Sequence, residues 1–224
     1  MKQLSIILFF FVAVLISSCG SDNGDVKTEM SFAEIGSSSQ SKAMELKPKE
    51  FVSWVRDPEN GFLRTKQIDE FEFSVQYKPY EYITCLEERK ENIEAEIVKN
   101  KTEELKGMTY FDLIISAGGN NGELLKYKLP KNSDYPNRID YYSFNFQKDI
   151  FLVQNNDTIP CSMFHFERTF DIAPYAKFLL AFPVTDSKSK EATVLFYDKI
   201  FDKGMIKISF DKQALSKVPK LETI

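Results

Sequence analysis

Short apolar-rich segments recur along most of the chain, and turn residues separate them. Those in the C-terminal half lie at residues 109–116, 141–146, 150–154, 161–168, 177–184, 193–198 and 204–210. A further segment, residues 71–77, alternates strictly between apolar and polar residues, which is typical of a strand with one solvated face. About seven to eight short strands with close turns predict an antiparallel sheet or a β-sandwich.

Two segments on the N-terminal side have helical spacing instead. Residues 47–61 place Phe51, Trp54 and Val55 on one helical face, so we expect a short helix with the single tryptophan packed in the core. After residue 79, apolar residues form one stripe among charged ones: Leu86, Ile93, Ile97 and Leu105. This stripe predicts a longer amphipathic helix that ends at Gly107. The predicted fold is therefore α+β and β-rich, with one short and one longer amphipathic helix near the N-terminal side.

The beginning of the chain contains an apolar run that ends at a cysteine. Lys2 precedes residues 4–16, which are almost entirely apolar and too few to span ~30 Å of hydrocarbon as a helix. Residues 16–19 then read Ile-Ser-Ser-Cys, and this order resembles the lipobox of bacterial lipoprotein signal peptides. The resemblance implies that a diacylglycerol is attached to the thiol of Cys19 and that signal peptidase II cleaves just before this residue.

A lipid anchor divides the chain into three predicted parts: a signal peptide at 1–18, a lipidated flexible tether at 19–46 and a single globular β-rich domain at 47–224. In enterobacterial lipoproteins, an aspartate after the cysteine is an inner-membrane retention signal, whereas Gly20 stands here and favours the outer membrane. Asp22 and Asp25 match the position of a surface-export signal in some Gram-negative lipoproteins. They slightly favour the cell surface over the periplasmic side, and both sides stay open.

The net charge limits the classes of partner that the chain can bind. Removing residues 1–18 takes away Lys2 and moves the formal charge from −4 to −5, so the chain lacks the basic footprint of a nucleic-acid-binding protein. The same acidic balance argues against electrostatic attachment to anionic lipid. The membrane is therefore expected as a partner through the lipid anchor only.

The cysteine content leaves one candidate pair. With Cys19 lipidated, Cys85 and Cys161 remain. In an oxidising compartment they form either a disulfide or two buried free thiols, and the sequence leaves both alternatives open.

Residues with catalytic or metal-binding patterns are scarce. His165 is the single histidine, which excludes sites with two histidine ligands, and no nucleophile elbow accompanies it. The glycine-rich residues 118–122 lack the spacing of a phosphate-binding loop. We therefore predict no catalytic residue, no metal site and no cofactor, and we predict that the chain is not an enzyme.

A few surface positions are candidates for contact or modification. Tyr135 and Tyr141 lie in the best segment for outward-facing tyrosines, and Asn120 and Asn121 lie at the tip of the glycine-rich loop. Side chains of these types suit contacts with proteins or glycans. Residues 157–159, in a predicted hairpin turn, resemble an acceptor motif for O-glycosylation in some Gram-negative bacteria, with Thr158 as the acceptor.

These observations predict a lipid-anchored cell-envelope protein with a non-catalytic binding or assembly role, in contact with another envelope protein. A surface glycan-binding module is the first alternative. A hydrolase that depends on carboxylates alone is the second, because counting acids does not exclude it. A binding subunit predicts an exposed apolar patch, whereas a hydrolase predicts acids that converge in a cleft.

Overall fold

The residues that the structure describes form eleven strands and five α-helices. The structure, a computed structural model, describes residues 44–185 and 188–224. The predicted signal peptide, Cys19 and residues 20–43 of the predicted tether lie outside these ranges. The strands are β1 (Glu45–Leu46), β2 (Leu63–Ile68), β3 (Phe71–Lys78), β4 (Met108–Ala117), β5 (Ile150–Gln154), β6 (Asp157–Pro160), β7 (Met163–Glu167), β8 (Tyr175–Pro183), β9 (Glu191–Asp198), β10 (Gly204–Asp211) and β11 (Lys220–Leu221).

The helices are short and most of them lie between the first strands. They are α1 (Pro48–Arg56), α2 (Tyr80–Glu88), α3 (Ala95–Leu105), α4 (Asp134–Asp140) and α5 (Lys212–Leu215). Helix α4 continues directly into a π-helical turn (Tyr141–Asn145) and a 3-10 turn (Phe146–Asp149). Among the described residues, no helix is long and apolar enough to cross a membrane.

Two antiparallel sheets carry most of the strands. One has five strands in the order β2-β3-β4-β8-β7, and the other has four in the order β10-β9-β5-β6. The short strands β1 and β11 pair in parallel and join the first described residues to the last. The predicted α+β, β-rich class with antiparallel sheets is confirmed.

The two sheets face each other across an aromatic core. Phe73 and Phe196 lie 5.8 Å apart between ring centroids, and Phe111 and Phe210 lie 5.5 Å apart. The alternation of apolar and polar residues in β3 places its apolar side chains in this core, because Phe73 and its neighbours at i±2 all point to the same face of the sheet. A smaller cluster lies under α1 and α2, around Phe51, Val55 and Cys85.

The predicted longer helix is in fact two helices, α2 and α3. Helix α2 ends at Arg89, which adopts the left-handed conformation with φ 53°. The residues between α2 and α3 are not helical, and the last of them pair with Ile224: its amide donates to the carbonyl of Ile93 at 3.0 Å, and its carbonyl accepts from the amide of Ala95 at 3.1 Å. Gly107, at φ 94°, follows the end of α3 as predicted.

The predicted strand at 141–146 is wrong, since this segment is helical. Tyr142 and Phe146 are both fully buried, whereas Phe144 is 72 % exposed. Positions 142 and 146 fit a strand face and a helical i, i+4 pair equally well, and only the exposure of position 144 distinguishes them. The predicted hairpin near residue 157 is present, but Asn155 and Asn156 form its turn and Thr158 lies on β6.

Candidate binding site at one end of the five-stranded sheet

Two loops meet at one end of the five-stranded sheet. Strand β4 ends where β8 begins, because Ser116 pairs with Tyr175. The glycine-rich loop (residues 118–122) and the connection between β7 and β8 (residues 168–174, here the Phe170 loop) therefore leave the sheet side by side. Helix α4 adds Tyr135 to this end through contacts described below.

The Phe170 loop has an unusual backbone. Phe170 and Asp171 both adopt positive φ, at 46° and 62°, a conformation that bulky residues rarely take. Bonds inside the loop fix it: the amide of Ile172 donates to the carbonyl of Thr169 at 2.8 Å, and the hydroxyl of Thr169 donates to the carbonyl of Ala173 at 3.0 Å. Strained backbone of this kind is concentrated at functional sites.

The fixed loop exposes two large apolar side chains. Phe170 is 64 % exposed and Ile172 is 89 % exposed. The guanidinium carbon of Arg168 lies 4.3 Å from the ring centroid of Phe170, which is a cation–π contact. The loop thus presents an aromatic ring and a branched aliphatic side chain to solvent, and holds the ring against a cation.

A polar cluster lies beneath these side chains. The hydroxyl of Tyr135 donates to Glu123 Oε2 at 2.6 Å, and Arg168 Nη2 donates to the same hydroxyl at 3.2 Å. Glu123 is buried, and its Oε1 and the Nε of Arg168 have no hydrogen-bond partner among the described residues. Burial and the neighbouring Glu123 raise the pKa of Tyr135, so the phenol remains a neutral hydrogen-bonding bridge.

Asp171 and Asn120 tie the two loops together. Asp171 Oδ1 accepts from the amide of Glu123 at 3.1 Å, and its other oxygen pairs with Lys126. Lys126 and the amide of Glu123 hold the pKa of Asp171 below its usual value. The side chain of Asn120 donates to the carbonyl of Pro174 at 3.5 Å. The loops therefore form one connected structure.

Of the four predicted contact residues, the structure brings three to this end of the sheet. Tyr135 and Asn120 take part in the contacts above, and Asn121 is exposed in the glycine-rich loop. Tyr141 lies outside the site and donates to Asp149 Oδ2 at 2.6 Å. Thr158 is exposed on the edge strand β6.

The remaining predicted residues are separate from the loops. Cys85 and Cys161 are both free and buried, and they belong to two different apolar clusters. Of the two alternatives for this pair, the structure has the free thiols. His165 is exposed on β7. Cys19 lies outside the described residues.

Two other buried acids, Asp112 and Asp198, are engaged in structural contacts. Asp198 accepts three backbone amides, from residues 200, 201 and 203. Asp112 lies between Lys78, at 3.0 Å, and Lys177, at 3.6 Å. Within residues 44–185 and 188–224, no group of three or more His, Cys, Asp or Glu side chains is placed to hold a metal ion.

Phe170 and Ile172, which expose apolar surface here, were not predicted from the sequence. Residues 168–175 read RTFDIAPY, and two large apolar residues in a short connection between strands are a signal that could have identified Phe170 and Ile172. Chemically, the arrangement offers apolar contact area on a fixed backbone, with a guanidinium beside it. Protein-family models, curated proteins and solved structures give no match to this chain.

Proposed function

We propose that this chain is a lipid-anchored protein of the outer membrane that binds another envelope protein through the Phe170 loop. The observation that carries the binding role is the exposure of Phe170 and Ile172 on a loop whose backbone is fixed. The support for the anchor is the run of residues 16–19 described above. A role without catalysis accords with an apolar contact surface, as expected for a binding subunit.

The fixed backbone matters because it lowers the entropy lost on binding. A loop that is already ordered does not have to be immobilised when the partner arrives. Burying an exposed Phe or Ile side chain stabilises a complex by about 1.5–3 kcal/mol. Phe170 and Ile172 are already partly covered, so the area that a partner can still bury contributes at least about 2 kcal/mol for the two together. Replacing both by Ser is therefore expected to weaken partner binding at least ~30-fold.

The test is photo-crosslinking in native membranes, with a photoreactive phenylalanine analogue at position 172. The matched control carries the same analogue at position 144, where the natural Phe144 is 72 % exposed on the helical segment after α4. A defined protein adduct from position 172 and none from position 144 supports the proposal. Equal adducts from both positions, or none from either, contradict it.

The anchor is tested separately. In Cys19→Ser, the protein should leave the membrane fraction and lose acyl labelling, because the thiol is the only proposed lipid acceptor. Retention of both membrane binding and labelling would show that the lipobox interpretation is wrong, and would leave the role of the Phe170 loop unaffected. Protease accessibility in intact cells then distinguishes the surface from the periplasmic side.

The glycan-binding alternative has one observation in its favour. The glycine-rich loop places Asn121, and helix α4 places the half-buried Tyr135, near the same end of the sheet, which is a combination that suits sugar hydroxyls. Binding of the purified protein to envelope polysaccharide, abolished by Asn121→Ala and unaffected by Ile172→Ser, would favour this alternative.

A further inference from the structure

A groove lies between helices α1 and α2. Both helices lie in the N-terminal half of the sequence, whereas the Phe170 loop lies in the C-terminal half. The cavity of the groove has a volume of about 650 Å³, within the range of about 300–1,000 Å³ that is typical of small-molecule sites. Val52 and Leu86 contribute apolar surface, and the buried Cys85 is also part of the lining. Burial raises the pKa of the Cys85 thiol to about 11, as expected beside an apolar cluster.

The mouth of the groove is positively charged. Four cations line it, Lys49, Arg56, Arg89 and Lys90, against one acid, Glu91. Lys90 forms an ion pair with Glu88, at the end of α2, at 2.7 Å. The other three cations form no ion pair with any residue that the structure describes. Since acids outnumber cations in the whole chain, 33 to 29, this local excess is a departure from the average surface.

Two of the cations are held in position. Arg56 Nε donates to the hydroxyl of Tyr82 at 2.9 Å, and its Nη atoms make no hydrogen bond within the described part of the chain. Arg89 stands at the end of α2 with φ 53°, and its Nε donates to the carbonyl of Leu86 at 3.4 Å. Guanidinium groups placed in this way are suited to a carboxylate, which they bind with two parallel bonds.

We propose that this groove binds a single-chain anionic amphiphile, with its acyl chain against Val52 and Leu86 and its carboxylate between Arg56 and Arg89. Charge complementarity supports the anionic head, and the apolar lining supports the chain. Each helix has nine residues and is therefore about 13 Å long, which is short for a partner helix of three to four turns but sufficient for one chain. A single chain also exchanges from a bilayer far more readily than a two-chain lipid.

The first experiment compares three probes with the same chain and different heads: dodecanoate, dodecanol and dodecyltrimethylammonium. They are titrated below micellar concentration into the full mature chain with Cys19→Ser, and binding is measured by calorimetry. Alkylation of Cys85 by iodoacetamide reports occupancy of the groove, and Cys161 in the other cluster is the internal control. We expect dodecanoate to bind most tightly and to slow alkylation of Cys85 only. Equal binding of all three probes, or equal slowing at both thiols, would overturn the proposal.

The second experiment removes the cations. Arg56→Gln and Arg89→Gln should each weaken dodecanoate binding by about threefold to tenfold, since each removes a charge-assisted contact of a partly exposed group. Lys66→Gln, on the exposed strand β2, is the matched control and should bind like the parent. If these variants bind dodecanoate normally, or if the protein binds anionic phospholipid vesicles or an acidic amphipathic peptide and not dodecanoate, the proposed ligand class is wrong.

Discussion

Two neighbouring tyrosines should respond to the same substitution with opposite signs. Tyr142 is fully buried, with its ring 5.0 Å from that of Phe178 and 5.3 Å from that of Phe146. Its hydroxyl has no hydrogen-bond partner among the described residues. Tyr141 is half-buried, and its hydroxyl donates to Asp149 at 2.6 Å. Removing the hydroxyl therefore relieves an unpaired group at position 142 and breaks a charge-assisted bond at position 141.

The expected magnitudes follow from the contacts. A buried hydroxyl without a partner costs ~1–3 kcal/mol, and the void left by Tyr142→Phe, on the order of 10 Å³, costs only about 0.2 kcal/mol. Tyr142→Phe should thus raise the free energy of unfolding by about 1–2 kcal/mol and the Tm by roughly 2–8 °C. Tyr141→Phe should lower the free energy of unfolding by ~1–2 kcal/mol, because bonds to charged acceptors are the stronger ones.

Urea unfolding of the Cys19→Ser protein measures both variants, with Trp54 fluorescence and far-ultraviolet circular dichroism as two probes of the same transition. The midpoints should move in opposite directions with an unchanged slope. A loss of 1 kcal/mol or more in Tyr142→Phe would show that the hydroxyl is bonded in the native protein, and would refute the reasoning from its burial. A neutral Tyr141→Phe would show that solvent replaces the bond to Asp149.

Three further outcomes are expected. Burial raises the pKa of the Cys85 and Cys161 thiols to about 11, so ionisation alone should slow their alkylation near pH 8 by about two orders of magnitude relative to an exposed cysteine. Their alkylation rate should then rise with pH toward about 11; mass spectrometry of a disulfide between them would contradict the free thiols. Asp198→Asn should lower the free energy of unfolding by ~1–3 kcal/mol, because an amide accepts through one oxygen and leaves a backbone N–H without its acceptor; an unchanged Tm would contradict this. The proposed modification of Thr158 predicts a glycan mass on the native protein that disappears in Thr158→Ala, and an unmodified native protein would rule it out.

The sequence predicted those elements whose signal is local. The alternation around Phe73 gives β3 and its buried face, and the segments rich in β-branched and aromatic residues give β4, β8 and β9. The helix that spans Leu86 to Leu105 was predicted as one element because its stripe continues across the break. At the break, Arg89 adopts positive φ and Ile93 pairs with Ile224, which is remote in sequence, and no local pattern contains that contact.

The candidate site was predictable only in part. Asn120 and Tyr135 were found because loop tips and tyrosine-rich segments have recognisable compositions. Phe170 and Ile172 were not predicted, although two large apolar residues in a short connection between strands are a usable signal. The positive φ of Phe170 has no such signature, because the conformation exists only where surrounding residues hold it. The helical segment after α4 was missed for a different reason, since Tyr142 and Phe146 satisfy both a strand period and a helical one.

The contacts beneath the Phe170 loop separate two ways in which a substitution can weaken partner binding. Phe170 and Ile172 would act by direct contact, whereas Asp171 would act by holding the backbone in its strained form through Lys126 and the amide of Glu123. Loss of Asp171 should leave the apolar side chains intact and yet release the loop, so that binding costs more entropy. Because a released loop has to be ordered in the complex, its effect should appear as slower association. Loss of the apolar contacts should instead appear as faster dissociation, and this difference distinguishes a fixed presenting loop from an apolar patch alone.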